Sequence, residues 1–365
     1  MEQPTPEQIT EALGKVIDPE LKRPVTELDM VREVRVEGGH LAVTIALTVA
    51  GCPLRSSFES QVREHLLPLP GVEFVSLEFD VMSPDERAAL TQKLRGSVEG
   101  RSKGISVGAS TRVLAVASGK GGVGKSTLSV NLAAAFDRLG QRTGILDADV
   151  YGHSIPHMLG IAQRPVVVDK MIVPPVRGDL KLMSIGFFLE ENAPVMWRGP
   201  MLHRALEQFL SDVHWGELDT LVVDMPPGTG DVSISLGQLL PRAEVVVVTT
   251  PQAAAQQVAV RAAQMAQKTG MRLIGAIENM SYLVGSGQEL FGAGGGEALA
   301  RAIDAPLLGK VPLDPRLREC ADAGEPLVWA EPENETARTL VELAEAITAA
   351  GRQPGTVKKP LPLAT

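Results

Sequence analysis

Four glycines, two lysines and three hydroxyl residues are packed into Ser118-Gly-Lys-Gly-Gly-Val-Gly-Lys-Ser-Thr127, which contains the spacing Gly119-x-x-x-x-Gly124-Lys125-Ser126. That spacing is the phosphate-binding P-loop pattern. Gly119, Gly121, Gly122 and Gly124 let backbone N–H groups turn inward on phosphate oxygens. A helix that opens directly afterwards adds its positive N-terminal end. Lys125 is the cation for the β- and γ-phosphates, and the Ser126 hydroxyl completes a Mg²⁺ shell. With Lys120, Val123 and Thr127, the stretch is predicted to bind a nucleoside triphosphate.

Carboxylates follow at the ends of apolar runs. Leu146-Asp-Ala-Asp149 closes one such run, and Leu221-Val-Val-Asp224 closes another. The second has the Walker B form, a hydrophobic strand whose terminal aspartate holds Mg²⁺ through water. Immediately after it, Met225-Pro-Pro-Gly-Thr-Gly-Asp231 couples a stiff proline pair to two glycines. Such a segment is suited to sensing a γ-phosphate and moving when it is lost. Taken together behind a P-loop, these acids predict a hydrolytic site.

Positioning such a loop takes a strand before it and a helix after it. Val113–Ala117 is the apolar strand, and Leu128-Ser-Val-Asn-Leu-Ala-Ala-Ala-Phe136 repeats its apolar residues at helical spacing, with Gly140 as a stop. Further strands are predicted at Thr143–Leu146, Leu180–Ile185, Thr220–Val223, Val245–Thr249, Leu273–Ile277 and Leu307–Val311. Continuous aliphatic runs such as Val245-Val-Val-Val248 imply strands buried on both faces of a parallel sheet. Helices between them imply right-handed crossovers, with ligands at the carboxyl ends of the strands. The predicted fold is α/β, a P-loop NTPase domain with a mostly parallel sheet flanked by helices, preceded by a small α+β domain.

The boundaries follow composition. Residues 1–95 read as the small α+β unit, with a helix from Thr5 to Ile17, a strand at Leu41–Thr48, a helix to about Leu67 and a strand at Val72–Val81. Residues 96–112 are rich in glycine and serine and read as a flexible linker. Residues 113–350 form the P-loop domain, ending in a helix at Glu333–Ala350, and 351–365 read as a disordered tail.

Of the 365 residues 44% are hydrophobic and only 4% aromatic, so aliphatic packing must dominate the core. The net charge is −9, which disfavours nonspecific binding to nucleic acid or anionic lipid. Two cysteines make no disulfide framework, and neither a signal peptide nor a long apolar span is seen. The expectation is a cytoplasmic protein with no nucleic-acid or membrane partner.

The lysine straight after the first glycine makes Lys120-Gly-Gly-Val-Gly-Lys-Ser126 resemble the deviant Walker A loop of the MinD/ParA/nitrogenase-iron-protein class. More narrowly, Asp147-Ala-Asp-Val-Tyr-Gly152, Trp197-Arg-Gly-Pro200, Asp224-Met-Pro-Pro-Gly-Thr-Gly-Asp231, Glu278-Asn-Met-Ser281 and Pro312-Leu-Asp-Pro315 resemble the Mrp/ApbC family of iron–sulfur cluster carriers. Asp18-Pro-Glu-Leu21 and Gly51-Cys-Pro53 resemble the small iron–sulfur assembly domain fused ahead of such ATPases. The resemblance implies a Mg²⁺-dependent ATPase that forms a homodimer and passes clusters to apo iron–sulfur proteins or assembly factors. It implies that Lys120 reaches the partner's phosphates, that Asp149 orients the attacking water, and that Asn279 reads adenine with Pro312 on the base.

One departure stands out. The family places a Cys-x-x-Cys after Asn-Met-Ser, whereas this chain reads Ser281-Tyr-Leu-Val-Gly-Ser-Gly-Gln-Glu-Leu-Phe-Gly292. Six glycines within residues 285–296 predict a mobile loop there. The usual bridging cluster cannot form on it. The remaining candidate for a cluster or relay thiolate is Cys52, before Pro53 at a predicted helix N-terminus where exposed N–H groups lower a thiol pKa. Alternative readings are a MinD/ParA-like nucleotide switch or an ATP-dependent scaffold without a cluster.

Overall fold

The computed structural model describes residues 3–48, 55–96, 107–150, 152–188 and 199–350. Cys52, Trp197 and Arg198, most of the expected linker and the 351–365 tail lie outside the described residues.

The N-terminal elements are α1 (Pro6–Leu13), β1 (Val31–Glu37), β2 (His40–Leu47), α2 (Arg55–Leu66), β3 (Phe74–Val81) and α3 (Pro84–Gly96). Helix α1 begins at a capping box. The Thr5 hydroxyl accepts from Gln8 N at 3.3 Å while Gln8 Oε1 accepts from Thr5 N at 2.8 Å, so two otherwise orphaned donors are satisfied. The three strands form a sheet in the order β1-β2-β3, with β1 antiparallel and β3 parallel to β2.

The remaining strands are β4 (Arg112–Ser118), β5 (Thr143–Asp147), β6 (Val166–Val168), β7 (Met171–Val173), β8 (Val176–Arg177), β9 (Leu180–Ser184), β10 (Thr220–Asp224), β11 (Glu244–Thr249), β12 (Arg272–Leu283) and β13 (Leu307–Leu313). The helices among them are α4 (Lys125–Arg138), α5 (Ile155–Met158), α6 (Gly199–Ser211), α7 (Asp231–Leu239), α8 (Ala253–Lys268), α9 (Gly295–Ala302), α10 (Pro315–Asp322), α11 (Leu327–Ala330) and α12 (Glu335–Ala349). Eight strands make one sheet in the order β13-β12-β11-β4-β10-β5-β9-β8. The β4, β11, β12 and β13 pairings are parallel, as is β5 with β9, while β8 runs antiparallel to β9. Every residue of β5, β9, β10 and β11 is buried, as expected of strands covered on both faces. All seven strands predicted after residue 112 are present, each within a few residues except β12, which continues to Leu283.

The residues group into two compact units, Met1–Thr111 with Arg142–Asp147 and Gly160–Leu221, and Arg112–Gln141 with Ala148–Leu159 and Val222–Thr365. Within the first unit, the β6–β7 hairpin contributes Val168, Met171 and Val173 to the same apolar core as Val16, Leu28, Val43, Phe58 and Leu94. The Thr91 hydroxyl donates to Val168 O at 3.3 Å, and Lys22 Nζ pairs with Asp179 at 2.8 Å. Within the second, α4 packs on α12 and α11, and Asn131 Oδ1 accepts from Val328 N at 3.3 Å. The P-loop, Asp149, Asp224 and Asn279 all belong to this second unit.

Candidate functional site

The phosphate loop is shaped by what a side chain would strike. A Cβ at Gly119 would lie 2.3 Å from backbone atoms of Val258 and Ala259 in α8, so only glycine lets the loop start this close to that helix. Gly124 sits at φ +81°, and a Cβ there would come within 2.2 Å of Asn279 Nδ2. Helix α4 then opens at Lys125 with no side chain capping its N-terminus. Its first amide donors are left for a ligand, and the helix dipole favours that ligand being an anion. The cradle fits a nucleotide polyphosphate.

Four polar residues converge behind it. The Lys125 ammonium, 6% exposed, lies 2.6 Å from Oδ2 of the fully buried Asp224 and 4.0 Å from Asp149 Oδ2. The Ser126 hydroxyl donates to Asp224 Oδ2 at 2.7 Å. Asp149 in turn accepts from Gly152 N through Oδ1 at 3.2 Å. One hydroxyl and two carboxylates are hard oxygen donors, the set Mg²⁺ prefers alongside phosphate and water. Among the described residues, no group of three or more His, Cys, Asp or Glu side chains could hold a metal by itself.

The Pro-Pro-Gly segment is tied to the start of the loop. Met225 N donates to Val116 O at 3.1 Å, and Gly228 N donates to Ser118 O at 2.8 Å. Gly228 adopts φ +85°, which lets the chain turn there. A shift of this segment therefore pulls directly on the residue before Gly119.

Asn279 is placed against the loop from the β12 side. It is 4% exposed, and its Nδ2 donates to Val123 O at 2.8 Å. The next residue, Met280, holds the left-handed value φ +56°, rare for a side-chain-bearing residue. Glu278, 1% exposed, accepts from Gly296 N at 2.5 Å and so fixes the start of α9. Pro312 is buried in β13, one residue beyond Val311, the strand partner of Asn279. Lys120 is half-buried, and its carbonyl accepts from the Ser118 hydroxyl at 3.1 Å.

The glycine-rich stretch after β12 contains a closed turn. Leu283 N donates to Gln288 O and Gly287 N to Leu283 O, both at 2.9 Å. The thiol among the described residues, Cys320, is 5% exposed in α10, and burial pushes its pKa up. That combination makes it an inert packing residue.

Sequence reasoning missed Ser129. Its hydroxyl, on α4, lies 2.6 Å from Asp224 Oδ1. The available signal was its position three residues after Ser126, on the same helix face. It also missed that Asp147 Oδ2 accepts from the Ser184 hydroxyl at 2.8 Å, a fully buried pair within the first unit.

A family model described as an NUBPL iron-transfer P-loop NTPase matches residues 109–348, and one described as an iron–sulfur cluster assembly protein matches 6–77. An iron–sulfur cluster carrier protein of Mycobacterium leprae is 49% identical over 356 residues, covering 94% of this chain and 93% of its own. The protein of that name from Bacillus subtilis is 42% identical over 313 residues, covering 84% and 88%. Among solved structures, a nucleotide-binding protein from Archaeoglobus fulgidus in complex with ADP matches at TM-score 0.51 and 36% identity, over 61% of this chain and 89% of that one. The cell-division ATPase MinD of Pyrococcus furiosus matches at TM-score 0.53 and 23% identity, over 66% and 99%, a likeness of fold alone. None of the described helices is long and apolar enough to cross a membrane.

Proposed function

The chain belongs to the NUBPL-type iron-transfer P-loop NTPase family, and on that premise we propose that it is an ATP-hydrolysing carrier that delivers iron–sulfur clusters to apo-proteins. The observation that carries the nucleotide half is the convergence of Lys125, Ser126 and Asp224 behind the uncapped N-terminus of α4. The cargo half rests on relatives that bear the cluster-carrier name over nearly the whole chain.

Each residue then has a task. The loop amides and Lys125 grip the β- and γ-phosphates, and Lys125 leaves its contact with Asp224 to do so. Ser126 and Asp224 would hold Mg²⁺ alongside the nucleotide, and the ion would supply charge neutralisation at the phosphate oxygens. Asp149, whose Oδ2 lies 4.0 Å from the same ammonium, orients a water for attack on the γ-phosphorus. Lys120 stabilises the charge that develops there, from the partner subunit of a homodimer. Loss of the γ-phosphate is felt by the Pro226-Pro227-Gly228 segment through Gly228 N and Ser118 O. The cluster is cargo, and Cys52 is the thiol assigned to hold or relay it, because the segment after Asn279 has no cysteine.

The test is cluster transfer. Protein reconstituted anaerobically with iron and sulfide is mixed with an apo iron–sulfur acceptor, with and without ATP and Mg²⁺, beside Cys52→Ser and Lys125→Ala. Transfer from the unaltered protein, loss of cluster in Cys52→Ser and loss of ATP turnover in Lys125→Ala are expected. ATP turnover with no cluster bound or passed on would reduce the protein to a nucleotide switch.

A further inference from the structure

The buried Asp224 carboxylate uses its two oxygens differently. Oδ2 takes the Lys125 ammonium at 2.6 Å and the Ser126 hydroxyl at 2.7 Å, and so faces the loop. Oδ1 takes the hydroxyl of Ser129 at 2.6 Å. Ser129 and Asp224 are both 0% exposed, so water does not stand in readily for either partner. The serine hydroxyl carries one proton and has two acceptors in reach, Asp224 Oδ1 and the Lys125 carbonyl at 3.0 Å. A bond to a carboxylate is charge-assisted and outcompetes the back-bond to a carbonyl one turn earlier. The proton therefore belongs to Asp224.

We propose that Ser129 is a positioning residue that sets the divalent-cation affinity of the nucleotide site by locking the rotation of the Asp224 carboxylate. A carboxylate turns about its Cβ–Cγ bond, whose torsion is broad and weakly restrained by itself. With Oδ1 pinned, Oδ2 stays on the Ser126 side, where a cation held by that hydroxyl would be met. Ser126 and Ser129 lie one helical turn apart on one face of α4, so a single rigid element fixes both oxygens of the carboxylate. This rests on the nucleotide–Mg²⁺ reading given above.

The experiment follows binding of a fluorescent ADP analogue as free Mg²⁺ is varied, in the full chain and in Ser129→Ala and Ser129→Thr. In EDTA, Ser129→Ala is expected to bind the analogue within about twofold of the unaltered protein, which also reports that the loop is folded. The Mg²⁺ concentration for half-maximal enhancement is expected to rise roughly ten- to a hundredfold, the scale of one lost hydrogen bond to a charged group. Ser129→Thr, which keeps the hydroxyl, is expected to restore it. An unchanged Mg²⁺ requirement in Ser129→Ala overturns the proposal, as does an equal loss of binding in EDTA or an equal defect in Ser129→Thr. If the unaltered protein shows no Mg²⁺-dependent binding at all, the nucleotide–Mg²⁺ reading fails and this inference falls with it.

Discussion

The side-chain amide of Asn279 donates to the Val123 carbonyl at 2.8 Å, which fastens β12 to the middle of the phosphate loop. The same nitrogen lies 2.2 Å from where a Cβ on Gly124 would stand, so loop and asparagine exclude any larger neighbour. The contact holds the shape of the loop. Asn279→Ala is therefore expected to weaken ADP and GDP by a similar factor, about tenfold for one buried hydrogen bond. Competition titrations with both nucleotides check this. A loss confined to adenine nucleotides would instead assign the residue to base reading.

Lys125 and Asp224 form a buried ion pair, 6% and 0% exposed. Removing one partner of such a pair leaves an uncompensated charge, at a cost of about 3–5 kcal/mol. The Ser126 and Ser129 hydroxyls still serve Asp224, so the lower end is expected for Lys125→Ala. Adding Asp224→Asn removes the stranded charge and is expected to recover part of the loss. Urea denaturation of the single and double variants measures it, and additive losses would show that the pair contributes little to the fold.

Lys181 on β9 is 7% exposed and donates to Trp215 O at 3.0 Å and His214 O at 3.4 Å. Burial, with a smaller push from Lys22, brings its pKa down to about 8 from an ordinary value of 10.5. Below pH 8 the lysine is charged both folded and unfolded, and folding bears the full desolvation cost. Between about 8 and 10.5 the folded form releases its proton first, so this residue adds stability as pH rises. Denaturation midpoints across that window are expected to climb more steeply in the unaltered protein than in Lys181→Met. Parallel slopes would contradict the assignment.

How much of this was readable before folding depends on how local the information is. The strands β4, β5, β10 and β11 are short, continuous aliphatic runs, and a run buried on both faces needs no partner to be recognised. Strand β1, Val31-Arg-Glu-Val-Arg-Val-Glu37, was not expected, because its charged residues leave it only partly buried. The hairpin β6–β7 was also missed. Its strands are three residues each, and they matter through packing on residues more than seventy positions away.

The same division holds for the site. The amino-acid sequence by itself determined the phosphate loop, because Gly119 through Ser126 are consecutive and their chemistry is set by spacing along one turn into one helix. It also determined which aspartates end the strands beside that loop, since strand ends in a parallel sheet share one edge. Only the tertiary structure decided that Ser129 holds Asp224 across 95 positions and that Asn279 holds Val123 across 156. A hydroxyl or an amide in a sequence has no preferred distant partner. Its direction is fixed when sheet and helix pack closely enough that leaving it unpaired in the interior would cost more than the ordering that pairs it.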